Sequence, residues 1–259
     1  MRPNIAFDRI GQGSPVILVL GAFNTRPVGA PLAAALGEQH TVVNYDRRGR
    51  GGSGDSTPYA VEREIEDLDT LVQHVGGSAA LFGFSSGAAL ALAAAAHGLA
   101  VTKLALFDLP LHVERPANPV DHAAALDALV RAGRRGEAVE YFQRKMVGIP
   151  EPIVVQFRTA PFRAALEAMA HTLVYEATIL GDGQLPLDKV RSVRAPTLAL
   201  AAGEGPPFMR ETAEALASAL PNGRALVLAG ATHDLVPDVL APPLLEFLAD
   251  YTADQSDGS

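Results

Sequence analysis

Residues 15–20 read PVILVL, an apolar run with no polar interruption. A strand with one face in water alternates polar and apolar residues, so a run of this kind must be covered on both faces. TVVNYD (41–46), SAALFGF (78–84), KLALFDLP (103–110), PTLALAA (196–202) and RALVLAG (224–230) read as further strands, and the alternating NIAFDRIG (4–11) reads as an edge strand. Helical patterns lie between them. Val61, Ile65, Leu68, Leu71, Val72 and Val75 fall on one face of a helix over 61–75, and GAALALAAAAHG is a buried helix ending at Gly98. Helices are also predicted over 208–220 and 242–251. Strands alternating with helices predict an α/β fold: a doubly wound, mostly parallel sheet with helices on both faces.

The rhythm breaks between about Leu111 and Pro186. No buried strand is predicted there; helices are, over 121–131, 136–147, 153–158 and 162–180. The expected organisation is a core of 1–110 and 187–259 with a helical cap, 111–186, inserted in it. Ile149, Ile153, Val154, Phe157, Phe162, Met169 and Leu173 in the cap are core or pocket residues, and spacing alone does not separate the two.

Bulk properties exclude several classes. The chain of 259 residues carries a net charge of −8, a poor match to nucleic acid or an anionic membrane surface. It has no cysteine, which rules out disulfides, cysteine metal sites and a cysteine nucleophile. The N-terminus has no basic segment followed by an apolar one, and the greasiest run, Ala88–Ala96, is far short of the roughly 20 residues that span a bilayer. The expectation is a cytoplasmic protein that acts on a small molecule, with a frayed tail at TADQSDGS (252–259).

GFSSG (83–87) fits G-x-S-x-G only with Ser85 central. A strand that turns at once into a helix strains the central residue and crowds the positions two before and two after it, so only tiny residues fit there. Ser85 then projects its hydroxyl above the sheet. Ser86 offers a backbone N–H at a helix N-terminus, where developing negative charge is favoured. The flanking LF and AALALA supply the strand–turn–helix context; the competing reading is a purely structural glycine turn.

With these motifs the chain resembles the α/β-hydrolase superfamily over nearly its whole length, and within it capped bacterial serine hydrolases. VILVLGAF resembles the strand and oxyanion turn, YDRRGRGGSG the family's D-x-R-G-x-G-x-S loop, and PTLALAAGE and GATH two late strand ends. The resemblance implies a serine hydrolase of esters, thioesters or lactones working through an acyl-enzyme, with no metal or organic cofactor. Other members of such a fold catalyse acyl transfer, cyclisation or carbon–carbon cleavage, or only bind ligands.

Serine is a weak nucleophile without a base. Of the seven histidines, His233 in GATHDL follows the last strand, where the resemblance places the base; His171 could touch substrate from the cap, though a packing role fits it better. The base needs a carboxylate. The family's usual aspartate position, three residues past Gly203, holds Pro206. Glu204 is near but displaced. Asp108, ending the apolar strand KLALFDLP, is favoured, because a carboxylate there is costly to bury without a partner such as His233. Its plainer role is to cap a following helix. The resemblance also assigns the second oxyanion donor to the backbone N–H of Phe23, beside Ser86, makes Asn24 a pocket residue, and puts Gly21 where a histidine is usual.

GRGGSG (49–54) satisfies the dinucleotide pattern G-x-G-x-x-G. It follows the wrong strand, arginines crowd it, and Pro58 separates it from the next helix. It reads as a structural loop whose Arg47, Arg48 and Arg50 pair with nearby carboxylates.

Overall fold

The computed structural model describes residues 4–114 and 120–249. Its strands are β1 (Phe7–Ile10), β2 (Pro15–Val19), β3 (Thr41–Tyr45), β4 (Ala79–Phe84), β5 (Val101–Phe107), β6 (Thr197–Ala202) and β7 (Gly223–Leu228). They form one seven-stranded sheet in the order β1-β3-β2-β4-β5-β6-β7. β1 runs antiparallel at one edge; every other pairing is parallel.

The apolar runs are explained by cover on both faces. Ile17 and Val19 of β2, with Leu104 and Leu106 of β5, pack beneath α2 (Val61–His74), α3 (Ser86–Ala96) and α10 (Pro207–Ala219). Val16, Leu18, Ala105 and Phe107 point the other way, toward α1 (Arg26–Leu36) and α11 (Pro237–Ala249). Alternation is present, but both directions lead to a core.

The strand order decides where a ligand can enter. From β2 the chain moves outward to β3, then returns to the far side of β2 as β4. At this reversal the connections leave in opposite directions and open a crevice at the strand ends. The segments 20–24 and 84–87 flank it.

Three helical expectations are corrected. The sequence pattern assigns no helix between β2 and β3, where α1 lies with Gly29 and Pro31 inside it. Tertiary contacts support this helix: Asp46 accepts from the Arg26 N–H at 2.7 Å, and Leu32 and Leu36 are fully buried, worth about 1.5–3 kcal/mol each. The helix predicted to begin at Pro242 begins at Pro237. Pro242 is exposed, so water can serve the carbonyl its ring leaves unbonded. The helix predicted over 162–180 is two, α7 (Arg163–Ala168) and α8 (Thr172–Leu180), because Thr172 returns both its N–H and its hydroxyl to the Met169 carbonyl. Residues 250–251 of the last predicted helix, and the tail 252–259, lie outside the described residues.

Between β5 and β6 the described chain is helical: α4 (His122–Arg131), α5 (Arg135–Phe142), a π-helical turn (Gln143–Val147), α6 (Glu151–Phe157), α7, α8 and α9 (Leu187–Val190). The ends of this segment are pinned by a bridge between His112 and Gln184, with bonds of 2.8 Å from the His112 N–H to Gly183 and from the Leu185 N–H to His112. Val154 and Leu173 are fully buried, while Ile153 and Phe162 are exposed. No helix among the described residues is long and apolar enough to cross a membrane.

Candidate active site

Ser85 stands between β4 and α3 with φ 55° and ψ −129°. Its glycine neighbours have a steric reason. A Cβ on Gly83 would lie 2.5 Å from the Ala88 Cα, and one on Gly87 would lie 2.1 Å from the Val19 carbonyl oxygen. The turn is held by a 3.0 Å bond from the Ser85 N–H to the Phe107 carbonyl.

Three non-glycine residues among those described have left-handed φ: Phe23 at 61°, Ser85 at 55° and Asp108 at 50°. Each follows the carboxyl end of a core strand, and each conformation costs on the order of 1–3 kcal/mol. Such strain persists only where the surroundings over-determine it, and here it gathers at one end of the sheet.

Asp108 is fully buried. Its Oδ1 accepts from the Ala202 N–H at 2.8 Å, and its Oδ2 lies 2.8 Å from Nδ1 of His233. The carboxylate thus has a donor on each oxygen, and the His233 ring is held with Nε2 directed away from Asp108. Phe84 supports that ring, centroids 4.8 Å apart. Glu204 is exposed, with its N–H bonded to Ala231, and Pro206 faces the cavity. Asp234 also lines the cavity and accepts from the Thr232 hydroxyl at 2.8 Å.

Ser85, Ser86, His233, Phe23 and Asn24 all line one cavity of about 580 Å³. The Ser86 N–H is the first of α3 and has no carbonyl within the helix to bond. Ser86 also has a role that was not read from sequence: its Oγ accepts from the Ala22 N–H at 3.0 Å, tying the turn after β2 to the turn at Ser85. Asn24 donates to the Ala22 carbonyl at 3.1 Å. Phe23 packs edge-on against Phe142, centroids 5.6 Å apart. A Cβ on Gly21 would lie 2.9 Å from both the Phe84 carbonyl and the Ser85 Cβ, so this packing has no room for a histidine.

The far wall of the cavity comes from the π turn and the loop after it, including Gln143, Met146 and Ile149. Gly148, at φ 80°, and Pro150 end the helix there, the local signal that marks this wall. His112 also lines the cavity, stacked on Phe208 at 4.3 Å. His171 does not; its Nε2 lies 3.6 Å from Asp55. The loop arginines pair as read: Arg47 with Glu64 at 2.8 Å, and Arg48 with Asp67 at 2.9 Å.

The model of the alpha/beta hydrolase family matches residues 16–242. The chain belongs to that family. Among solved structures, an alpha/beta hydrolase from Sphaerobacter thermophilus DSM 20745 is 49% identical, with a TM-score of 0.88, over 95% of this chain and 96% of that one. A thermophilic esterase from Thermogutta terrifontis is similar at 25% identity, TM-score 0.66, over 94% of this chain and 92% of that one. The enol-lactonase from Burkholderia xenovorans LB400 shares the fold at 21% identity, TM-score 0.66, over 94% of this chain and 96% of that one. In this hydrolase-family chain, the candidate site lies where the sheet order reverses, beside the β4–α3 turn at Ser85.

Proposed function

We propose that the protein is a serine hydrolase of esters, thioesters or lactones with a small apolar body. The observation that carries this reading is the pairing of buried Asp108 with His233, a histidine that lines the same cavity as Ser85. Ser85 Oγ attacks the acyl carbonyl carbon as His233 Nε2 takes its proton. Asp108 holds the ring tautomer and stabilises the imidazolium. The N–H groups of Phe23 and Ser86 receive the charge on the carbonyl oxygen. Collapse of the tetrahedral adduct expels the alcohol, thiol or ring oxygen, which takes the proton from His233. Water, deprotonated by the same ring, then releases the acid and restores Ser85. The helical segment between β5 and β6 acts as a cap that supplies the acyl-binding wall. This chemistry requires neither metal nor organic cofactor.

The support is the resemblance to an esterase and a lactonase in fold, together with strain at the three positions the mechanism uses. The test is labelling by a fluorophosphonate and turnover of p-nitrophenyl esters. Labelling and turnover that vanish in Ser85→Ala are expected. Ser85-dependent labelling without hydrolysis of any ester in a chain-length panel would point to acyl transfer or another reaction. Absence of labelling in the wild type would point to a ligand-binding member.

A further inference from the structure

The loop after β3 buries three arginines, Arg47, Arg48 and Arg50, each 3% exposed or less. A buried guanidinium is tolerated only when it is paired and its donors are used. Arg48 is satisfied by Asp67 and the Arg63 carbonyl. Arg47 makes a two-pronged pair with Glu64 through Nε and Nη2, which leaves its Nη1, and the whole of Arg50, to find acceptors elsewhere.

The carboxylate they share is Glu176, on α8 of the helical segment and fully buried. Arg47 Nη1 lies 3.2 Å from it, and Arg50 Nη2 contacts it directly. The same two guanidiniums also reach the turn after β2. Arg47 Nη1 donates to the Leu20 carbonyl at 3.1 Å, and Arg50 Nη1 donates to the Gly21 carbonyl at 2.6 Å. Leu20 and Gly21 lead directly into Ala22 and Phe23. One buried anion on the helical segment therefore orients two cations that grip the backbone just before the Phe23 N–H.

We propose that Glu176 is a positioning residue for the reaction: through Arg47 and Arg50 it fixes the turn that presents the Phe23 N–H, and so couples the helical segment to the reacting centre. The role rests on the serine-hydrolase reading above. Without Glu176, two adjacent buried cations face Glu64 alone. Arg50 Nε already has no hydrogen-bond partner, so no local acceptor is in reserve. Even with Glu176 in place, burial and the neighbouring Arg47 charge push Arg50 down to about 9, so this guanidinium has little charge compensation to lose. A turn released from Arg50 by even about 1 Å places its N–H outside the range in which a developing oxyanion is stabilised.

The test uses the full chain carrying Glu176→Gln, which keeps the size and one oxygen acceptor but removes the charge. With p-nitrophenyl butyrate, kcat is expected to fall on the order of 10- to 100-fold with KM within about threefold. Affinity for phenylboronic acid, which forms a charged tetrahedral adduct on serine, is expected to fall with kcat, while affinity for butyrate stays unchanged. Amide exchange over residues 20–24 is expected to accelerate about tenfold. Tyr175→Phe is the control: it removes the 2.7 Å bond from α8 to Asp55 without touching either arginine. Equal losses of kcat in the two variants would reduce Glu176 to a docking contact and overturn the proposal. So would unchanged kcat, boronate affinity and exchange in Glu176→Gln. If that variant fails to fold, Arg50→Lys, which keeps the charge but cannot span Glu176 and Gly21 together, carries the same expectations. If the wild type neither hydrolyses the ester nor binds the boronate, the hydrolase reading falls, and exchange over 20–24 alone decides whether Glu176 holds the turn.

Discussion

Nδ1 of His233 lies 2.8 Å from Oδ2 of Asp108, across 125 residues of sequence. The second oxygen of that carboxylate is held by the Ala202 N–H, so Asp108 has one orientation available and the imidazole inherits it. Asp108→Asn is expected to lower kcat roughly 10³–10⁴-fold, because an amide stabilises the wrong tautomer and cannot balance an imidazolium. Glu204→Gln is expected to stay within about twofold, since Glu204 is exposed. Steady-state kinetics on one chromogenic ester decides it, and the reverse pattern would move the acid to Glu204.

Ser86→Ala keeps the backbone N–H but removes the oxygen that accepts from Ala22. A bond of that kind is worth about 0.5–1.5 kcal/mol net. The expected loss in kcat is roughly 2- to 10-fold, with Ser85 still labelled by a fluorophosphonate. A kcat equal to wild type would show that the turn after β2 holds its place without this tie.

Gly87→Ala sets a Cβ against backbone, 2.1 Å from the Val19 oxygen and 2.6 Å from the Leu20 carbonyl carbon, where no flexible side chain can give way. A loss of at least about 3 kcal/mol is expected, seen as a lowered denaturation midpoint or insoluble protein. A variant as stable as wild type would contradict this packing of α3 against β2.

Ile149 lines the cavity from the loop after the π turn. Ile149→Phe narrows the space at that wall. The expected result is a drop of about 10-fold in kcat/KM for octanoyl esters with little change for acetyl esters, in line with the 1–3 kcal/mol that filling an apolar pocket commands. An equal effect on both esters would place the acyl chain elsewhere.

His40 is 7% exposed, and burial, aided by the Lys103 charge, lowers its pKa below the ordinary 6.5. A folded-state value below the unfolded one means that the unfolded chain binds more protons in that interval. Stability is therefore expected to fall as pH drops through 6.5 toward the folded-state value, and to hold above 6.5. Urea denaturation at pH 7.5 and 5.5 checks it: His40→Leu should show a smaller acid-side loss than wild type. An identical loss would assign the acid sensitivity to other groups.

Much of the architecture was legible in the sequence because it depends on local pattern. Apolar runs such as PVILVL and TLALAA read as strands covered on both faces, and the glycine spacing of GFSSG reads as a crowded turn centred on Ser85. The same steric argument singled out Ser85 before any fold was known. The candidate acid was legible more narrowly. Asp108 at the end of KLALFDLP asked for a buried partner, but only the tertiary structure set His233 against it and left Glu204 in water.

Other features were decided by contacts that sequence does not order. α1 has a proline and a glycine inside it and exists through Asp46 at its start and Leu32 and Leu36 beneath it. The hydroxyl of Ser86 became a tie because Gly21 lets the turn approach within reach. Glu176 is an ordinary glutamate in a helical pattern; it becomes the counter-ion of two buried arginines only once α8 is laid across the loop after β3. Backbone sterics and apolar periodicity act between neighbours, so the chain alone specified its strands, the tight turn at GFSSG and Ser85 as the candidate nucleophile. Charge pairing and shape fit act between segments more than a hundred residues apart, so only the folded molecule decided which carboxylate meets His233 and which one pairs with Arg47 and Arg50.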